Sequence, residues 1–261
     1  MIRRYYATKD NTITNAFEEN LVTRGTGSNM GASDILETFS IYGQASSASV
    51  ELTRFLVEFD TTQISSDRTA SNIPDSGGVS FFLKLYNAPH SQTTPSDFDL
   101  TILAVSQSWE EGYGLDMDYY EDITRDGIGS NWINAASGTT WTTEGGDYHS
   151  SPTFTAEFST GLEDLEVNVT SLVEQWLAGT KENYGFGIKL DDALETTNRS
   201  FFRKKFFGRD SEFFFARPVI EARWDSARKD DRGNFYASSS LAPASDNLNT
   251  LYLHNSIRGR L

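Results

Sequence analysis

Cysteine is absent from the 261 residues, which excludes a disulfide framework and any thiolate metal site. Histidine is scarce: His90, His149 and His254 are the full set. None lies beside a Gly-x-Ser-x-Gly turn and no His-x-x-x-His pair exists, so these residues read as surface or loop histidines rather than as a nucleophile's base or a metal helix. No apolar run approaches the roughly 20 residues needed to cross a bilayer. The opening residues Met1-Ile2-Arg3-Arg4-Tyr5-Tyr6 carry charge but no apolar stretch follows, which predicts synthesis in a cytoplasm without a signal peptide. Positive charge is also short, with 22 Lys+Arg against 37 Asp+Glu and a net charge of −15. That balance excludes a generic nucleic-acid binder and disfavours anionic membranes. Acidity of this kind reads mainly as solubility.

What is present is a period of two. Phe55, Val57 and Phe59 alternate with Arg54, Leu56 and Glu58, and Phe81, Leu83 and Leu85 alternate with Ser80, Phe82 and Lys84. The same pattern recurs at Leu165, Val167 and Val169, at Phe186, Ile188 and Leu190, and at Ile220, Ala222 and Trp224. Each set predicts a strand with one buried face. Turn-rich stretches separate them, among them 72–78 and 143–147. The expected fold is therefore all-β: an antiparallel two-sheet, jelly-roll-like sandwich. One short helix is expected at about 171–179. Ser171-Leu172-Val173-Glu174 has capping-box form, Leu172, Val173, Trp176 and Leu177 make an apolar stripe, and Gly179 sits where a left-handed residue would end it.

The pattern fails in a long insertion at about 112–152, which a compact domain uses as a functional loop or packs with its own aromatics. The sandwich is expected to occupy 1–225. Residues 226–261, with a charged start and a basic end, read as an arm, a linker or the start of a second module.

Four groups of residues carry candidate chemistry. The segment Gly25-Thr26-Gly27-Ser28-Asn29-Met30-Gly31 has one residue too many for a dinucleotide fingerprint and reads as a tight inter-strand turn. The carboxylate pairs Glu110-Glu111 and Asp191-Asp192 are what an acidic surface supplies, although a glycosidase also needs such a pair. Asp116, Asp118 and Asp122 form a candidate Ca²⁺ loop without EF-hand spacing, and no other cofactor is expected. The run Phe201-Phe202-Arg203-Lys204-Lys205-Phe206-Phe207-Gly208-Arg209 reads either as a contact stripe for an acidic neighbour or as a strand with rings inward and bases outward. Its doubled Phe residues, like Phe213-Phe214-Phe215, put rings on both faces, and an outward ring calls for a cover.

Five features in order resemble DNRLRE-type domains, which are similar to carbohydrate-binding modules. They are the strand Leu52-Thr53-Arg54-Phe55-Leu56-Val57-Glu58-Phe59-Asp60, the strand 79–86, the Trp-x-Glu turn in Val105-Ser106-Gln107-Ser108-Trp109-Glu110-Glu111-Gly112, Val167-Asn168-Val169-Thr170 with the helix to Trp176 and the strand Phe186-Gly187-Ile188-Lys189-Leu190 after it, and the closing strand 217–224. The start, from Arg4 to Phe17 with the segment from Gly25 to Gly31, resembles structural proteins of tailed bacteriophages that infect marine cyanobacteria. This resemblance implies a jelly-roll-like sandwich in a virion component of the neck, tail or head surface. It transfers no catalytic or ligand residue.

The reading expected first is a non-enzymatic virion structural protein whose partners are other virion proteins and copies of itself. Phe201, Phe202, Arg203, Lys204, Lys205, Phe206, Arg209, Arg258 and Arg260 are its interface candidates. The alternative is a carbohydrate-binding module for a host-surface glycan, with a platform drawn from Trp109, Tyr113, Tyr119, Tyr120, Trp132 and Trp141. An enzyme such as a polysaccharide depolymerase would need acid and base groups converging in a cleft.

Overall fold

The computed structural model describes residues 1–42, 50–90, 95–115, 129–197 and 200–227. The chain divides into two compact units, Met1–Trp224 and Asp225–Leu261. Only residues 225–227 of the second are described, and Asp225 accepts the Ala227 N–H there.

The first unit is an antiparallel two-sheet sandwich. The smaller sheet runs in the order β1 (Ile2–Tyr6), β13 (Val219–Arg223), β5 (Ser80–Leu85), β10 (Leu165–Asn168). The larger runs β12 (Phe201–Phe207), β3 (Ile35–Tyr42), β4 (Val50–Glu58), β11 (Phe186–Leu190), β6 (Phe98–Val105), β9 (Tyr148–Phe158). Along one side of β4, β3 pairs with 50–53 and β2 (Lys9–Thr14) takes over from Thr53 to Glu58. Between the sheets, the alternating residues read from the sequence meet as expected. Phe55, Val57, Phe81, Leu83, Leu85, Phe186, Ile188, Leu190, Ile220 and Ala222 are all fully buried in one core.

Three α-helices stand among the described residues, where the sequence shows one. Helix α2 (Thr170–Leu177) buries Leu172, Val173 and Trp176, and the Trp176 ring meets Phe186 edge-on at 4.9 Å. Its C-terminus is as expected. Gly179 has φ +66°, and the Thr180 and Gly179 N–H groups reach back to Gln175 and Trp176, satisfying two last-turn carbonyls. Its N-terminus is not the expected capping box. Val169 is the cap residue, Asn168 Oδ1 accepts the Thr170 N–H at 3.0 Å, and Thr170 Oγ1 accepts the Phe81 N–H at 2.8 Å. Glu174 is held by the two-pronged Arg68 guanidinium at 2.7 and 3.0 Å, which ties α2 to α1 (Thr62–Thr69). Helix α1 buries only Ile64 and Asp67, so no apolar stripe announces it. Helix α3 (Asp192–Glu195) is capped by Asp191.

The insertion is packed by its own aromatics. Strand β4 is buried on its outer face too, where Leu56, Val105, Trp109, Ala135 and Trp141 form a second core. A small hairpin of β7 (Asn134–Ala136) and β8 (Thr139–Thr140) frames it. Asn29 ties the start of the insertion to Ser130 further along it. Its amide donates to the carbonyls of Glu111 and Ser130 at 2.7 and 2.8 Å and accepts the N–H groups of Gly31 and Gly114. A Cβ on Gly112 or Gly129 would lie 2.4 or 2.3 Å from that side chain, so only glycine permits this approach. The segment 25–31 does hold the expected inter-strand turn, closed by the Ser28 N–H on Gly25 O at 3.1 Å. It belongs to the connection from β2 to β3 and serves as a clamp on the insertion. Asn29→Ala leaves the Glu111 carbonyl and the Gly31 and Gly114 N–H groups unmet, while Asn11 still serves the Ser130 carbonyl, and is expected to cost roughly 2–4 kcal/mol in urea unfolding. An unchanged midpoint would contradict the clamp.

Candidate functional site

Two outward faces of the sandwich carry the residues of interest. On the larger sheet, β12 is an edge strand on β3, and its odd and even residues part company. Phe202, Lys204 and Phe206 turn inward, while Phe201 projects at 69% exposure. Arg203 forms an ion pair with Glu37, which Lys205 also approaches at 4.0 Å. Lys204 is fully buried. Its ammonium donates to Asn87 Oδ1, Gly161 O and Glu163 O at 2.7, 2.9 and 2.7 Å, above the rings of Phe158 and Phe206. Burial pushes it down to about 8. Lys204 and Phe206 are therefore not contact residues, contrary to the sequence expectation. Strand alternation sends both inside, and three acceptors satisfy the cation there.

Arg209 is engaged as well. Its N–H reaches Asp10 Oδ2 at 2.5 Å and its guanidinium reaches Glu111 at 3.0 Å, while Glu111 also accepts the Asp10 N–H. Asp10 is buried, and the loss of water outweighs the Arg209 contacts, pushing its carboxyl up to about 7. Arg258 and Arg260 lie outside the described residues.

The loop between β12 and β13 holds what the candidate set missed. Phe214–Ala216 form a single 3-10 turn, with Phe213, Phe214 and Phe215 exposed at 55, 48 and 75%. The Phe213 ring meets Phe207 at 5.4 Å, Phe214 meets Tyr6 at 4.7 Å and Phe215 at 5.5 Å, and Arg217 lies over Phe214. With three residues per turn, neighbouring side chains fan apart, so the run has no single inward face to bury. The sequence signal was three successive Phe residues with no polar spacing.

Tyr6 joins this aromatic patch to the outer face of the smaller sheet. There Arg4 and Arg223 share the buried Glu221 at 2.8 and 2.6 Å, and Arg223 and Lys84 share Glu166 at 2.7 and 3.2 Å. Arg223 also lies 4.3 Å from the Phe82 ring centroid. The two guanidiniums hold Glu221 below the usual carboxylate range, and the Arg223 and Lys84 contacts pull Glu166 down to about 2.

The second feature is a polar cleft of about 600 Å³ on the outer face of the larger sheet. It is lined by Arg54, Gln107, Thr142, Thr143, Asp147, Tyr148 and Lys189, among others. Arg54 grips Glu195 at 3.1 and 2.7 Å and donates to Gly145 O at 2.9 Å, and Lys189 pairs with Asp192. The Tyr148 ring lies against Gly187, where a Cβ would come within 2.0 Å of it. Its hydroxyl donates to Gly145 O, and burial pushes the phenol up to about 12.

The expected tryptophan platform does not exist as an exposed surface. Trp109, Trp132 and Trp141 are 2, 5 and 5% exposed, because the outer face of β4 needs their cover. The Trp109 and Trp141 indoles donate to Tyr184 O and Asn131 O, and Arg54 lies over Trp132. Tyr113 is exposed, whereas Tyr119 and Tyr120 lie outside the described residues. So do Asp116, Asp118 and Asp122. Among the described residues no group of three or more metal-ligating side chains converges. Of the carboxylate pairs, Glu110 accepts the Ser137 N–H and Glu111 holds Arg209, while Asp191 caps α3 and Asp192 holds Lys189.

No protein-family model matches the chain, and no curated protein sequence matches it.

Asp10 supplies a pH test of the Arg209 anchor. Its carboxyl is raised on folding, so the folded chain holds the proton longer than the unfolded one. The stability it contributes is present at acid pH and is lost as pH rises through about 7. Asp10→Asn keeps an acceptor for the Arg209 N–H. It is expected to raise the urea midpoint at pH 8 and to change it little near pH 4. Equal shifts at both pH values would contradict a buried, raised carboxyl.

Proposed function

We propose that this chain is a non-enzymatic structural component of a tailed-phage particle, assembled in the host cytoplasm, that packs against neighbouring subunits through its aromatic face. One observation carries the reading: Phe213, Phe214 and Phe215 stand in water beside Tyr6 and Phe207. Burying a side chain of this size is worth about 1.5–3 kcal/mol, so a contiguous set of such rings favours association. The phage assignment is supported by the resemblance of the segments Arg4 to Phe17 and Gly25 to Gly31 to virion proteins of that class.

A second reading is favoured by the cleft. Gln107, Thr142, Thr143 and Asp147 offer neutral and acidic hydrogen-bonding groups beside the Tyr148 ring, a lining suited to a host-surface glycan. Glycan-array binding that Gln107→Ala abolishes would support it, and no binding by the unaltered chain would reject it.

For the assembly reading, Phe213→Ser with Phe215→Ser is expected to leave the unfolding free energy within about 0.5 kcal/mol, since both rings are exposed. The same variant is expected to lose association in sedimentation velocity and incorporation into particles. Unaltered association and incorporation would contradict it.

A further inference from the structure

We propose that Lys204 and Asn87 join in an isopeptide bond that the chain forms by itself, a covalent brace between the two sheets in a protein with no cysteine. Such a bond depends on neither the assembly surface nor the cleft. Lys204 stands in the middle of β12 in the larger sheet, and Asn87 follows β5 of the smaller one. The two stretches meet where the Ala88 N–H reaches Lys205 O and the Phe207 N–H reaches Tyr86 O.

The first need is a lysine stripped of water. Lys204 is fully buried, with its Nζ 4.8 and 5.0 Å from the ring centroids of Phe158 and Phe206. Desolvation weakens the hold of the amine on its proton and strengthens every dipole around the reacting atoms. Burial brings the ammonium down to about 8, so at pH 8 roughly half of the chains hold the free lone pair that attack requires.

The second need is an electrophile in reach. Nζ lies 2.7 Å from Asn87 Oδ1. The carbonyl carbon is one C=O bond, about 1.2 Å, behind that oxygen, close to the roughly 3–3.5 Å separation from which addition proceeds. Both partners are held in place. The Asn87 N–H donates to Asp164 Oδ1 at 2.8 Å, and Nζ also donates to Gly161 O and Glu163 O at 2.9 and 2.7 Å.

The third need is a proton carrier, and Glu163 supplies it. Its Oε1 accepts the Thr160 N–H and the Ser159 hydroxyl at 2.7 and 3.3 Å. Its Oε2 is buried with no hydrogen-bond partner among the described residues. A buried acceptor left unmet costs stability, and a free oxygen is what a base needs. The Glu163 charge is felt at Lys204, where it supports the ammonium against burial.

The atoms balance with no further reactant. Glu163 accepts a proton from the Lys204 ammonium, and the freed Nζ lone pair adds to Asn87 Cγ. Glu163 then returns that proton to Nδ2, and the Cγ–Nδ2 bond breaks. The added nitrogen sheds a second proton to the same carboxylate and keeps its third in the new amide. The departing ammonia takes the proton from Glu163 and leaves as ammonium, so the carboxylate ends as it began. The bond ties positions 117 residues apart, and a link over so long a span strongly restricts the unfolded chain.

The test is the intact mass of the full chain, measured denatured after incubation at pH 8, with sequencing of its protease fragments. The unaltered chain is expected about 17 Da below its sequence mass through loss of one ammonia, with a branched fragment joining Lys204 to Asn87. Lys204→Met and Asn87→Ala are each expected at full sequence mass. Glu163→Gln keeps an oxygen for the Thr160 N–H, and is expected to fold and to cross-link about a hundredfold more slowly. Full sequence mass in the unaltered chain, or loss of ammonia with the two segments recovered unlinked, would overturn the proposal. Cross-linking of Glu163→Gln at the unaltered rate would overturn the part given to Glu163.

Discussion

Burial of β4 on both of its faces is the constraint from which the rest of the molecule follows. Phe55 and Val57 point into the gap between the sheets, and Leu56 points the other way, yet all three are fully buried. The inner side is covered by the smaller sheet, as in any sandwich. The outer side needs a separate cover, which Trp109 provides together with Ala135 and Trp141 of the insertion. A cover on a long excursion holds only if the excursion is tied down. Hence the polar clamp of Asn29, which is joined by Asn11 through its bonds to Ser130 and the Met30 N–H. Hence also the glycines at 112 and 129, which let backbone approach that amide.

The same constraint divides the surface into two kinds. Where the insertion lies, the large sheet's outer face becomes a second core edged by a polar cleft. Where no insertion lies, the small sheet's outer face is finished with an ion-pair ladder and ends in the Phe213–Phe215 turn. Buried charges in this fold have partners: Glu221 has two arginines, Glu195 has Arg54, and Lys204 has three oxygens. Breaking one side of such a pair is costly because the other is left alone in low dielectric. Among the described residues the exposed rings meet only one another, Tyr6, Phe207 and Arg217. That contrast is why assembly, rather than stability, is the role assigned to them.

Much of this architecture is legible in the chain, and the gaps have physical causes. Alternation at Phe55, Phe81, Phe186 and Ile220 reads directly as strands because large apolar residues recur there at every second position and meet in one core. Strand β2 escapes such a reading, since Asp10, Asn11, Thr12 and Thr14 are polar yet buried, their needs met by hydrogen bonds. Helix α1 escapes it because a single Ile64 makes no stripe. The capping box at Ser171 is overridden by tertiary contacts, with Thr170 drawn to β5 and Glu174 to Arg68. Lys204 reads as a surface cation and is a buried peg, because nothing local signals that three carbonyl or amide oxygens will gather around it. The tryptophans are recognisable as rings that pack or bind, but which of the two depends on the second face of β4.

Hydroxyl-radical footprinting of the isolated chain against its associated form tests the central claim most directly, since it reads side-chain access ring by ring. Phe213, Phe214, Phe215 and Tyr6 are expected to be modified in the isolated chain and shielded on association, with Trp109 and Trp141 unreactive in both. Rings at 213–215 that are already shielded in the isolated chain, or that stay reactive in the assembly, would contradict the account.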